Sequence, residues 1–157
     1  MSASDPAAPV VGASRLITFE ISGTIYALPI SEVLEVVEDA GMTCVPTLPR
    51  ESGGVMNWHG EALPVVAPHL LLGGGPMRSR NPGEEQQFLV LTDRPDEAAC
   101  FGLPIDTVVG LVDGEPGLTR GSEVVVERRP VDGRVVTVIN PRQLVARAAE
   151  VIERAAA

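Results

Sequence analysis

Aromatic side chains are scarce in this 157-residue chain: three Phe, one Tyr and one Trp, 3% of the total. Any sizeable core must therefore be filled by Val, Leu, Ile and Ala, which the 45% apolar content supplies. Basic side chains are also few, 12 against 21 acidic, giving a formal charge of −9. That field repels a phosphate backbone or an anionic lipid surface, so nucleic acid and membrane are not expected partners. No apolar run approaches the roughly 20 residues a spanning helix needs. Met1 to Ala13 has no basic start followed by an apolar stretch, so no secretory leader and a cytoplasmic location are expected. With only two cysteines, Cys44 and Cys100, far apart in sequence, reduced and buried thiols are expected rather than a disulfide frame.

Catalytic signatures are missing as well. His59 and His69 have no Cys or acid at ligand spacing, so no metal site is expected. Ser52-Gly53-Gly54 and Gly73-Gly74-Gly75 lack the lysine and the strand-to-helix context of a phosphate loop. There is no glycine-x-serine-x-glycine elbow. Asp106, inside an apolar stretch, fits an aspartate that fixes a turn. Neither a catalytic residue nor a cofactor is expected. A hydrolase with an unfamiliar site stays open as an alternative, one that a structure lacking any pocket of roughly 300 Å3 would remove.

What is present is a series of short strands. Met1 to Ser14 is small, polar and proline-containing, an expected disordered lead. From Arg15, alternation through Ile21 predicts a half-buried strand, Ser22-Gly23-Thr24 a turn, and Ile25 to Leu28 the return, closed by Pro29. Ser31 is placed to cap a helical turn through Glu32, Val33, Leu34 and Glu35, which then runs into Val36-Val37. A loop around Asp39-Ala40-Gly41 precedes a short strand at Thr43 to Val45. Gly54 to Val66 reads as a hairpin broken by Asn57-Trp58-His59-Gly60, a turn displaying a Trp, a His and an Asn before apolar strands. Pro68 to Leu72 is a further helical turn.

The glycine- and proline-rich stretch 73–87 divides the chain near its middle. The expected organisation is one domain over 15–157, with a first lobe about 15–72, a linker 73–87 and a second lobe about 88–157. In that second lobe, Phe88 to Thr92 and Ala98 to Leu103 read as strands around the turn Asp93 to Asp96. Val108 to Val112 is apolar and ends at Asp113-Gly114. Val124 to Val126 and Val135 to Ile139 flank a loop with Asp132-Gly133. A closing helix starts with Asn140 as cap and Pro141 as its first residue, and carries an apolar stripe of Leu144, Val145, Ala148, Val151 and Ile152. Mainly β, with two small barrels packed together and a C-terminal helix, is the expected fold, since closure removes exposed edges.

In order and spacing, these segments resemble the CheW family of chemosensory adaptors, from about Leu16 to Leu144. Phe19, Gly23 and Tyr26-Ala27-Leu28-Pro29-Ile30 resemble the opening hairpin, and Val33-Leu34-Glu35-Val36-Val37 the segment after it. Val45-Pro46 and Leu48-Pro49 resemble the proline-marked loop. Gly54-Val55-Met56-Asn57-Trp58-His59-Gly60 with Leu63-Pro64-Val65-Val66 resembles the signature hairpin. Gly102-Leu103-Pro104-Ile105-Asp106-Thr107-Val108 resembles a strand of the second half.

The resemblance implies two intertwined SH3-like five-stranded barrels, no enzymatic activity, and a bridge between two partners. These are the cytoplasmic tip of a chemoreceptor and the regulatory domain of a CheA-type histidine kinase. Carried over by position, the receptor-facing residues are Ile30, Val33, Glu35, Val36, Asn57 and His59, and the kinase-facing ones Val108 and Leu111. An apolar groove for a helical tip needs exposed Val and Ile beside a few polar groups. Side-chain type alone fits Ile30, Val33 and Val36 equally to a core. Besides the glycine- and proline-rich loop Gly73 to Gln87, two positions depart from the family pattern. His59 stands where the family has arginine, whose fixed fork suits a carboxylate such as Glu35 in a way neutral histidine does not. Ala67 replaces an aspartate. The alternative these motivate is a single-sided accessory protein that binds a receptor or other signalling partner without recruiting the kinase.

Overall fold

The computed structural model of the protein describes residues 15–38, 54–73, 87–92, 98–114 and 121–156. The lead expected to be disordered, the loop and strand expected at 39–45, Cys44, most of the expected linker and the turn expected at 93–96 lie outside the described residues.

Among the described residues ten strands form, β1 Arg15–Ile21, β2 Thr24–Pro29, β3 Val33–Glu38, β4 Val55–Trp58, β5 Glu61–Pro64, β6 Gln87–Leu91, β7 Phe101–Ile105, β8 Thr107–Asp113, β9 Val125–Val131 and β10 Arg134–Ile139. The same residues hold two α-helices, α1 Pro68–Leu72 and α2 Pro141–Ala156. Three of the hairpins use the same device. Ser22-Gly23, His59-Gly60 and Asp132-Gly133 each join paired strands through two residues with positive φ, 49° and 84°, 51° and 82°, 48° and 78°. Such turns match the right-handed twist of the strands they join, and glycine at the second position takes that backbone without strain.

The strands sort into two sets of five. One sheet runs β8-β1-β2-β10-β9, with β2 and β10 parallel and the other neighbours antiparallel. The other set is the sheet β3-β6-β7 together with the β4–β5 hairpin. A bridge between Val65 and Gly102, with Val66 N–H donating to Gly102 O at 3.2 Å, joins that hairpin to β7. Both sets draw strands from either side of residues 74–86. Among the described residues neither set closes through a backbone ladder, but each surrounds its own apolar cluster. Leu16, Ile25, Ala27, Val136 and Val138 fill the first, and Met56, Leu63, Val65, Phe88 and Val90 the second. The fold is thus the expected mainly β pair with a C-terminal helix.

A third cluster lies between the two sets and under α2. It includes Ile17, Phe19, Leu28, Leu89, Phe101 and Leu103, with Leu144 and Ala148 from the helix. All three phenylalanines are fully buried, so the few large rings the chain has are spent on interior volume. Phe19 stacks on Tyr26 with centroids 5.9 Å apart. The helix stripe falls where expected, with Val145, Val151 and Ile152 packed on the same cluster. Asn140 caps it: its Oδ1 accepts from Arg142 N–H at 3.1 Å, and its Nδ2 donates to Gly121 O at 3.2 Å.

Three expectations need correction. The helical turn from Ser31 to Glu35 is only a 3-10 turn over Ile30–Glu32, and Ser31 does not cap it. Val33 onward is strand, because Val33, Val36 and Val37 gain a ladder with β6 that suits β-branched side chains better than a helix would. The hairpin turn is His59-Gly60 alone, Asn57 and Trp58 being part of β4. Cys100 is half-buried rather than buried.

Candidate protein-docking surface

Among the described residues β3 is the edge of its sheet, bonded to β6 on one side. The register shifts between Val33 and Glu35, leaving Leu34 unmatched as a bulge. This extra residue decides which side chains share a face. Val33 lies opposite Leu91 and Val36 opposite Leu89, both of the central cluster, while Glu35 and Val37 lie opposite Val90 and Phe88 of the second interior. Val33 packs on the core. Ile30 and Val36 are 42% and 38% exposed, and Leu34 36%. Of the three residues that composition left open between core and surface, two are on the surface. Leu34 is the member of this patch that the sequence reading omitted, because a helical turn was expected there.

The β4–β5 tip folds against this edge. Glu35 Oε1 accepts from Trp58 Nε1 at 2.9 Å, and His59 Nε2 lies 2.9 Å from the same oxygen. The Trp58 and His59 rings meet edge-on at 4.7 Å. Asn57 is exposed, its Oδ1 accepting Gly60 N–H at 3.0 Å. The bond to His59 first, and that to Trp58 second, hold the Glu35 carboxyl below its ordinary range. Histidine therefore does take up the carboxylate here, contrary to the expectation drawn from its missing fork. The positive φ of His59 swings its ring back over β3, and Trp58 supplies a second donor. One edge of the second set is thus tied to the other, β3 to β4, by side chains instead of a ladder.

The second candidate surface is on β8, an edge of the five-stranded sheet. A bulge at Val109 puts Val108 opposite Phe19 and Leu111 opposite Ile17, so the two share a face. Val108 packs on the central cluster, whereas Leu111 is 49% exposed beside Val109 at 44%. Asp106 fixes the neighbouring turn, its Oδ2 accepting Ser22 N–H at 2.7 Å. At the other departure, Ala67 begins α1 with extended backbone and no side-chain cap. Among the described residues no three His, Cys, Asp or Glu cluster to hold a metal ion, and no helix is long and apolar enough to cross a membrane. A concavity of about 490 Å3 lies between α1, residues 122–125 and α2. It exceeds the size set for excluding a hydrolase; its lining carries Ser122, Glu123, Arg147 and Glu150 and no histidine or cysteine.

A model of the CheW-like domain family matches residues 15–149. The chain belongs to this family. CheW-like proteins are scaffolding adaptors and not enzymes. Over 87 residues the chain is 30% identical to the chemotaxis protein CheW of Helicobacter pylori (strain ATCC 700392 / 26695). That stretch covers 55% of this chain and 51% of that protein, so the chain spans about half the length of the relative it matches. The crystal structure of the scaffolding protein TtCheW from Thermoanaerobacter tengcongensis aligns with a TM-score of 0.64 and 21% identity, over 84% of this chain and 92% of that one. At that identity the likeness is one of fold, and it agrees with the two five-stranded sets of this CheW-like chain.

Proposed function

We propose that this CheW-like chain is a non-enzymatic adaptor that couples chemoreceptors to a histidine kinase, in the cytoplasm at receptor arrays. One observation carries the reading: Ile30 from the 3-10 turn, and Leu34 and Val36 from β3, an edge strand among the described residues, stand exposed, with Glu35 held beside them by the β4–β5 tip. An apolar ridge with a fixed polar group in its middle suits a helical hairpin tip, where apolar contacts give affinity and the carboxylate region sets register. Val36, Ile30, Asn57 and His59 face the receptor in this reading, with Val33 supporting them from the core side. Leu111, with Val108 behind it, offers the kinase regulatory domain a second, separate surface.

The test is reconstitution of receptor, kinase and this protein, with kinase activity read with and without the adaptor. Receptor-dependent kinase activity that rises with the adaptor, and falls away with Val36→Glu or Leu111→Glu, supports coupling. Activity unchanged by the adaptor overturns it. Separate pull-downs on receptor tip and kinase regulatory domain distinguish the single-sided reading, which binding to both would remove. The Glu35–His59 contact weakens one of the two grounds for that alternative, since His59 retains the pairing, while Ala67 remains as the other.

A further inference from the structure

The interior of the five-stranded sheet is left unfilled at one end. Leu16 and Thr18 of β1 share a face with Ala27 and Ile25 of β2, and Val136 of β10 lies beside Ile25. Gly110 of β8 lies opposite Thr18, so a side chain there would point into the same interior. Among the described residues, a Cβ at Gly110 would meet no atom within 4 Å. A cavity of about 250 Å3 occupies that space, with the buried Thr18, Ile25 and Val136 at its inner end and Val112 and Val131 along its sides. Thr18 Oγ1 donates to Gly110 O at 3.0 Å, so the inner end offers an occupant no free proton.

The mouth is of another kind. Asp132 and Arg134, from the turn between β9 and β10, line the same cavity and are exposed. Arg134 lies opposite Val131 and two residues before Val136, so all three belong to the face that looks into the cavity. Neither Asp132 nor Arg134 has an ion-pair partner among the described residues.

An apolar cavity of roughly 150 Å3 already takes benzene, so this one has room for a branched or aromatic group. Its rim asks for a negative and a positive group together at one end of that apolar body. A residue within a polypeptide carries neither α-charge, and a residue at a chain end carries one. A free α-amino acid carries both. We propose that this cavity binds a free apolar α-amino acid, of leucine to phenylalanine size. The side chain enters between Ile25, Val112 and Val136, Arg134 takes the α-carboxylate, and Asp132 takes the α-ammonium. Gly110 keeps the space open, because any larger residue would fill it from above.

The probe is L-phenylalanine, titrated into the 15N-labelled full chain and followed by amide shifts. Saturable shifts confined to residues 18, 25, 109–112 and 131–136 are the expected result. 3-Phenylpropionate, without the ammonium, and phenethylamine, without the carboxylate, each bind about threefold more weakly, the scale of one exposed charge pair. Glycine, without the apolar body, gives no shifts. Arg134→Gln removes the preference over phenethylamine. Asp132→Asn, which tolerates the same positive φ, removes the preference over 3-phenylpropionate. Gly110→Leu fills the cavity and abolishes binding. If that variant loses its circular dichroism spectrum, Gly110→Val, smaller and suited to a strand, replaces it with the same loss expected. No shifts with phenylalanine, equal shifts with glycine, equal affinity for either analogue, or binding that survives filling at Gly110 overturns the proposal. The assay contains neither receptor nor kinase, so its outcome is independent of the coupling reading.

Discussion

Replacing Glu35 by alanine removes the acceptor of both bonds that tie the β4–β5 tip to β3. The magnitude follows from exposure. The His59 and Glu35 side chains are 67% and 43% exposed, so water screens their contact to about 0.5 kcal/mol or less. The Trp58 bond to a carboxylate adds about 0.5–1 kcal/mol. The expected loss is about 1 kcal/mol, a fall in Tm of roughly 2–4 °C for a chain of this size. Trp58 is the only tryptophan, so its fluorescence reads the tie directly while urea unfolding reads stability. His59→Asn tolerates the same positive φ and should cost less than half as much, because the indole bond remains. The pH dependence has a definite sign. Glu35 is depressed in the folded state, so its contribution is complete above the ordinary glutamate value of 4.5 and is lost as pH falls through the lower folded value. The Glu35 side-chain carboxyl carbon, followed by NMR, should titrate with its midpoint below 4.5. A transition at or above the ordinary value, or an Ala variant with unaltered emission and stability, would refute the reasoning.

Further outcomes are expected elsewhere. Ala67→Asp gives α1 the cap it lacks on a backbone already extended at that position, and should raise stability by about 0.5–1 kcal/mol in urea unfolding. Asp106→Ala strips the acceptor from Ser22 N–H; a loss of about 1 kcal/mol and faster exchange of that amide are expected. Gly102→Ala puts a methyl 2.6 Å from the buried Met56 Sδ, costing about 1–2 kcal/mol by overpacking. Met56→Ala in the same chain should then cost less than the sum of the two single changes, as neighbours sharing one space do. Val36→Glu, exposed on the strand edge, should leave stability within about 0.5 kcal/mol while abolishing receptor-tip binding in a pull-down.

Features written in adjacent residues were legible before the structure. Ser22-Gly23 and Asp132-Gly133 announced their turns, and Asn140-Pro141 with its apolar stripe announced α2, because caps and turns are decided within a few residues. β3 was misread for a physical reason. The bulge at Leu34 places Val33 and Val36 on one face at a spacing of three, which in a sequence looks like helix rather than strand. The same device at Val109 joins Val108 to Leu111. Strand partnership was hidden altogether, since nothing near Tyr26 says that Thr137 will lie beside it. The contact of His59 with Glu35 depends on a backbone angle and a neighbouring indole, neither of which residue type reveals.

Interleaving the two halves has a consequence for how the protein is made. The β1–β2 hairpin leaves the ribosome with both flanks bare, and the strands that cover them, β8 and β10, follow roughly eighty residues or more later. At about 5–20 residues per second, this nascent ribbon waits on the order of 4–16 s for its neighbours. Throughout that interval it is a template for the wrong strand, so the yield of the adaptor in a cell should depend on translation speed and on chaperones that shield short hairpins.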